Sequence, residues 1–165
     1  MAIDTTKQSE LAAPPARGEQ IPAFSGNTAD GRTLGTRDFS MRRNLALIFT
    51  HGPECSTCRA LLRELGRLEE AVRAEAGETL AVVPAEGEEL RRLAAELPFP
   101  VIGDPDLAIH RRYGLVDERG APRAAIFVTD RYGVVFEPSL ADDEHRMLEA
   151  AEVPGWLEFI ACRCT

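Results

Sequence analysis

The sequence has no cluster of lysine or arginine interleaved with aromatics, and its formal net charge is −8. Nucleic-acid phosphates and anionic membrane surfaces both call for a basic footprint, so neither is expected as a partner. Long apolar runs are missing as well. Stretches such as Leu45–Phe49 are far shorter than the ~20 residues that cross a bilayer as a helix. The opening "MAIDTTKQSELAAPPARGEQ" has no basic n-region and no apolar h-region, so no signal peptide is expected. A cytoplasmic location follows from these absences. Cysteine is scarce, with four in 165 residues. In a reducing compartment a close pair of thiols is more often catalytic or metal-binding than a structural disulfide.

What is present fits one domain of ordinary size with an apolar fraction normal for a globular core. Residues 1–17 are polar, contain Pro14-Pro15, and read as a mobile tail ahead of a single domain over 18–165. "IPAFSGNTADGRTLGTRDF" carries turn chemistry between short apolar pieces and predicts a small hairpin. "NLALIFT" and "TLAVVP" read as buried strands. From Cys55 the period changes: Leu61, Leu62, Leu65, Leu68, Ala71 and Val72 recur at helical spacing, with Arg59, Arg63, Glu64, Glu69 and Glu70 mostly on the other faces and Gly77 as the stop. "EGEELRRLAAEL" and "PDLAIHRRYG" predict two more helices, and "AAIFVTDRYGVVFE" predicts a hairpin around Asp130–Gly133. The closing "ADDEHRMLEAAEVPGWLEFIACRCT" reads as helical with a break at Pro154. Strand–helix alternation ending in a hairpin implies an α/β fold: a mixed sheet of four or five strands, helices on both faces, the 45–50 strand central, and an N-terminal hairpin added.

The chemistry concentrates in "FTHGPECSTCRALLREL". Cys55 falls where a strand gives way to a helix, and unpaired N–H groups and the positive end of the helix dipole favour thiolate over thiol there. Cys58 lies three residues on, on the same helix face and more covered. This divides the labour between an attacking thiolate and a protected resolving thiol, linked by a Cys55–Cys58 disulfide. Two other readings use the same residues. Cys-x-x-Cys is also half of a zinc site, for which Cys162 and Cys164 would supply the other half, although Cys-x-Cys is a poor half-site. The thiols could also be packing residues. Glu54 opposes a neighbouring thiolate, and His51 and Arg59 are the groups able to offset it. Cys162 and Cys164 are candidates for a relay to the pair, or for spare thiols.

Four segments in order resemble the thioredoxin-like superfamily and, within it, the alkyl hydroperoxide reductase/thiol-specific antioxidant (peroxiredoxin-like) family. "GEQIPAFSGNTADGRTLGTRDF" resembles the family's opening, with Pro22 and Phe24 in its P-x-F element. "LALIFTHGPECSTCRALLREL" is similar to the strand, redox loop and helix of members with Cys-x-x-Cys. "LPFPVIGDPDLAIHRRYGL" and "PRAAIFVTDRYGVV" resemble the approach to the third helix and the strand pair against the active site. The resemblance implies a thioredoxin-like fold and a thiol-dependent oxidoreductase in which the Cys55/Cys58 pair reduces peroxides or protein disulfides. It implies no cofactor, an external dithiol or thioredoxin-type electron donor as partner, and admits a homodimer. It places Arg123 near the family's active-site arginine, Pro122 or Ala124 near the thioredoxin cis-proline position, and leaves His51 as a candidate catalytic residue. The chain departs from the family's P-x-x-x-T-x-x-C: counting back from Cys55, Gly52 stands for the Thr and Ile48 for the Pro. Glu54 and Ser56-Thr57 stand where thioredoxin loops carry Trp and Gly-Pro. A redox sensor that binds rather than turns over, and a zinc-stabilised structural domain, are the alternative functions.

Overall fold

The computed structural model describes residues 12–142 and 146–163. Its centre is strand β3 (Asn44–Phe49), all six residues of which are buried. β3 pairs in parallel with β4 (Gly77–Val83) and antiparallel with β6 (Ala125–Thr129), so Leu47 lies between Leu80 and Phe127. β5 (Val101–Gly103) adds beyond β4 and β7 (Val135–Leu140) beyond β6. The expected hairpin forms as β1 (Ser25–Thr28) and β2 (Thr33–Gly35) and joins the sheet through β1–β5 pairing, which completes seven strands in the order β2-β1-β5-β4-β3-β6-β7.

Period-two alternation along β3 divides the core. Ala46 and Ile48 face Leu62 and Leu65 of α1 (Ser56–Arg67), Val72 of α2 (Glu69–Ala74), and Leu157 and Ile160 of α5 (Val153–Arg163). Leu90 and Leu93 of α3 (Gly87–Ala95) belong to this layer too. Leu45, Leu47 and Phe49 face the opposite layer, where Ile109 of α4 (Ala108–Arg112) and Tyr113 pack. Each such aliphatic or aromatic side chain contributes about 1.5–3 kcal/mol on burial, so a strand covered on both faces is the most stabilised element of the sheet. Among the described residues no helix is long and apolar enough to cross a membrane.

Three local expectations are corrected. The single helix read from Cys55 to Gly77 is two helices that meet at Leu68, just after Gly66 runs against Pro98. The chain leaves α2 through Ala76 at φ 55°, while Gly77 opens β4, where a Cβ would press on the Val72 carbonyl and Leu157 Cδ1. Glu69, read as a solvated face, is buried, its carboxylate 3.2 Å from Arg73 Nε; burial pushes its pKa up, against Thr79 and Arg73, which act to lower it. The segment before α5 is not helical over its described residues until a 3-10 turn at Ala150–Glu152. Pro154 sits in the first turn of α5, where its missing N–H is no loss, so it opens that helix rather than breaking one.

The end of the segment read as a tail lies against the domain. Pro15 is buried, Arg17 Nε donates to the Phe136 carbonyl at 2.9 Å, and the Gly18 N–H donates to the Val135 carbonyl at 2.8 Å. Gln20 bridges Val134 antiparallel, so this stretch runs beside the start of β7, the edge strand that also carries Pro138. Gly114, at φ 65°, closes α4, and a Cβ there would run into the Ala12 carbonyl. Gly114→Ala is therefore expected to cost about 1–2 kcal/mol through the left-handed backbone alone and to loosen residues 12–17. Urea unfolding and limited proteolysis check this: the variant should unfold at lower urea and be clipped sooner near Arg17 than the wild type.

Candidate active site

β3 runs out at Phe49, and the chain turns through Thr50–Glu54 into α1. Cys55 is the N-cap of that helix, in extended conformation (φ −69°, ψ 112°), and its sulfur accepts a hydrogen bond from the Cys58 N–H at 3.4 Å. A sulfur here meets the orphan N–H groups of the first turn, which carries no acidic residue. Cys55 is half-buried, whereas Cys58 is only 2 % exposed, packed with Ala124 and Ala141. Both thiols are free.

His51 reaches both sulfurs. Its Nδ1 lies 3.3 Å from Cys58 Sγ and 3.9 Å from Cys55 Sγ, and its backbone N–H donates to Cys58 Sγ at 3.4 Å. Burial pushes the Cys58 thiol up to about 12 despite that backbone hydrogen bond, and the neighbouring Cys55 adds to the rise. At neutral pH Cys58 is thus a protonated, covered thiol, and the more exposed sulfur is that of Cys55. Glu54 is exposed, and Arg59 pairs with Glu96 at 3.8 Å, so its charge is engaged along the helix surface.

Of the residues singled out from sequence, the structure brings Cys55, Cys58 and His51 together. The backbone N–H of Arg123 donates to the Leu115 carbonyl at 2.8 Å, and its charge acts on Asp117. Ala124, rather than Pro122, takes the place against Cys58, while Pro122 bridges Val116. Alternation along an extended chain turns Arg123 toward the loop of Asp117. That carboxyl is held below its usual range first by the Ala121 N–H and then, among smaller contributions, by the charge of Arg123. Cys162 lies exposed in α5 and is not part of the thiol–imidazole cluster, and Cys164 lies outside the described residues. The second half of a four-ligand zinc site is therefore not assembled around Cys162.

The sequence reading missed the pair that holds the loop from beneath. His110 is fully buried; its Nε2 donates to the Thr50 carbonyl at 3.0 Å, and its Nδ1 lies 2.6 Å from Asp104 Oδ2. A carbonyl only accepts, so Nε2 carries a proton, and one further proton is shared between Nδ1 and the Asp104 carboxyl. Burial works against charge on Asp104, yet hydrogen bonds from the His110 ring and from the N–H groups of His110 and Ile109 outweigh it and hold the carboxyl below its ordinary range. The pair thus ties α4 to the residue before His51. The signal was present in "GDPDLAIH", with an acid at a strand end and a histidine one helical turn into the next element, but His110 reads equally well as a helix side chain.

Two outcomes follow. Limiting iodoacetamide should label Cys55 well before Cys58 between pH 7 and 9, with labelling of Cys58 rising only as pH approaches about 12; peptide mapping reads the order, and earlier labelling of Cys58 would reverse the assignment. His110→Ala takes the imidazole from the buried Asp104 carboxyl and leaves it only the backbone N–H groups of Ile109 and His110, which should lower unfolding free energy by about 3 kcal/mol, measured by urea denaturation.

Residues 17–137 match the family model described as AhpC/TSA family. No curated protein matches the sequence. Among solved structures, Enterococcus faecalis AhpC superposes with a TM-score of 0.77 at 16% identity, covering 92% of this chain and 97% of that one. The peroxidoxin BcpB from Mycobacterium tuberculosis gives 0.75 at 11% identity, covering 92% and 99%. A proposed thiol:disulfide interchange protein, DsbE, from Chlorobium tepidum gives 0.67 at 20% identity, covering 90% and 97%. These likenesses establish the thioredoxin-like fold, and the family match spans well over half of the sequence. The chain belongs to the AhpC/TSA family and is a thiol-dependent oxidoreductase that works through a cysteine pair.

Proposed function

We propose that Cys55 attacks and Cys58 resolves in a dithiol cycle that reduces a hydroperoxide. The observation that carries this reading is the contrast between a half-exposed sulfur at a helix N-cap and a 2 % exposed sulfur three residues on, both within reach of one imidazole nitrogen. The Cys55 thiolate attacks the outer peroxide oxygen, the O–O bond breaks, and an alcohol or water leaves with a proton, giving a sulfenic acid on Cys55. Cys58 then attacks that sulfur; the S–O bond breaks, water leaves, and the Cys55–Cys58 disulfide remains. The Cys58 proton must go as its sulfur attacks, and His51 Nδ1 at 3.3 Å is placed to take it. An external dithiol or thioredoxin-type donor supplies the two electrons that reset the pair. The cytoplasm, where such donors are kept reduced, is the proposed setting.

A second substrate, a protein disulfide, is favoured by one feature. The position three before Cys55 is Gly52, so no hydroxyl there can hold a peroxide oxygen. In that cycle Cys55 forms a mixed disulfide and Cys58 displaces the substrate thiol.

Coupled turnover with thioredoxin, thioredoxin reductase and NADPH, on hydrogen peroxide and on a model disulfide side by side, tests both. Cys55→Ser should abolish turnover on either substrate. Cys58→Ser should consume one equivalent of oxidant and stop, trapped as a sulfenate or mixed disulfide. His51→Ala should slow turnover by about a hundredfold with both cysteines intact. Full activity in Cys55→Ser would overturn the assignment of roles, and negligible turnover on both substrates would leave a redox sensor as the function.

A further inference from the structure

We propose that the reduced protein binds one zinc ion through His51 Nδ1, Cys55 Sγ and Cys58 Sγ, leaving a fourth position open, so that metal and disulfide exclude each other. The three donor atoms all lie within 4.8 Å of one another, and theirs is the one His/Cys/Asp/Glu cluster of metal-holding geometry among the described residues. Tetrahedral zinc with Zn–S near 2.3 Å and Zn–N near 2.0–2.1 Å sets its nitrogen and sulfur ligands about 3.6 Å apart. The observed separations of 3.3 and 3.9 Å straddle that value, so each nitrogen–sulfur distance lies within a few tenths of an ångström of a tetrahedral site.

The surroundings suit a cation bound by thiolates. Backbone N–H groups of His51 and Cys58 already donate to the two sulfurs, as outer-shell donors do around metal thiolates. Two thiolates and Zn²⁺ sum to zero charge, so the positive end of α1 does not oppose the loaded site. Arg59, the nearest cation on α1, is engaged by Glu96. A donor set of two sulfurs and an imidazole is soft and selects zinc over magnesium or calcium. Cys55 is half-buried, beside the half-buried Gly52 and Pro53 and the exposed Glu54, so the cluster's Cys55 side is partly open to solvent. Three protein ligands and an open fourth position match metal sites that exchange ligands rather than closed structural ones.

Binding moves no electrons: two thiol protons leave as two Zn–S bonds form. Disulfide formation removes two electrons and joins the same sulfurs, leaving no thiolate to bind. A loaded protein is therefore shielded from oxidants until the metal is withdrawn. This goes beyond peroxide reduction and does not depend on it.

The full chain carrying Cys162→Ser and Cys164→Ser removes the remaining thiols from the test. Reduced, it should bind one equivalent of Zn²⁺ by calorimetry and give the ligand-field spectrum of a tetrahedral thiolate site with Co²⁺. Affinity should fall at least a hundredfold in Cys55→Ser and in Cys58→Ser, and at least tenfold in His51→Ala. One equivalent of Zn²⁺ should slow diamide oxidation at least tenfold, and EDTA should restore the rate. The oxidised form of the same chain, which needs no further substitution, should not bind. Equal binding by the oxidised form, unchanged affinity in His51→Ala, an octahedral cobalt spectrum or an unaltered diamide rate would each overturn the proposal. Zinc binding without turnover would defeat only the peroxide reading, and turnover without zinc binding only this one.

Discussion

The burial of β3 on both faces is the constraint from which the rest of the molecule follows. Asn44–Phe49 offers no side to water, so α1, α2 and α5 must cover one face and α4 with Tyr113 the other. A strand held this way has one register: a slip of a single residue would exchange Leu47 with Ile48 between layers already filled. Its end point is fixed with it, and at that end point the chain has only Thr50–Glu54 in which to turn into α1. The positions of His51, Cys55 and Cys58 are set by the core before any chemistry is considered.

Onto that frame the molecule adds a graded exposure of sulfur. Cys55 caps a helix and meets solvent, whereas Cys58 is one turn deeper against Ala124 and Ala141, where burial makes its thiolate expensive. The imidazole of His51 spans the gradient. The His110–Asp104 pair holds the Thr50 carbonyl, so the start of the loop is anchored to α4. A buried carboxyl–imidazole pair is weak evidence for net stability, but its two directional bonds fix one rotamer and one backbone carbonyl, as a positioning device requires.

Much of this was legible in the sequence because it is periodic or local. β3 and β4 carry the apolar runs Leu45–Phe49 and Leu80–Val83, α1 shows its buried stripe at Leu62 and Leu65, and the Asp130–Gly133 turn declares the last hairpin. The Cys-x-x-Cys is local by definition, and its place at a strand-to-helix switch was readable from the change of period. What escaped was tertiary. Glu69 is charged and sits next to Glu70, and nothing in its neighbourhood shows that it is buried with its carboxylate on Arg73. His110 and Thr50 lie sixty residues apart, and their bond exists only because α4 packs across the end of β3. The placing of Arg123 rests on resemblance alone, and in an extended segment a shift of one residue reverses the side that a side chain faces. Pro154 was read as a break because proline interrupts helices, but in the first turn it starts one.

The two outer margins of the sheet are blunted against further pairing, each in its own way. β2 is three residues long. At the other margin Pro138 has no N–H to offer, Arg17 occupies the Phe136 carbonyl, and the Gly18–Ile21 stretch is bonded along the start of β7. Unpaired strand margins are templates on which copies of a chain zip together into continuous sheets. Among the described residues one margin is short and the other is occupied along its start, so pairing of this kind is disfavoured on both sides.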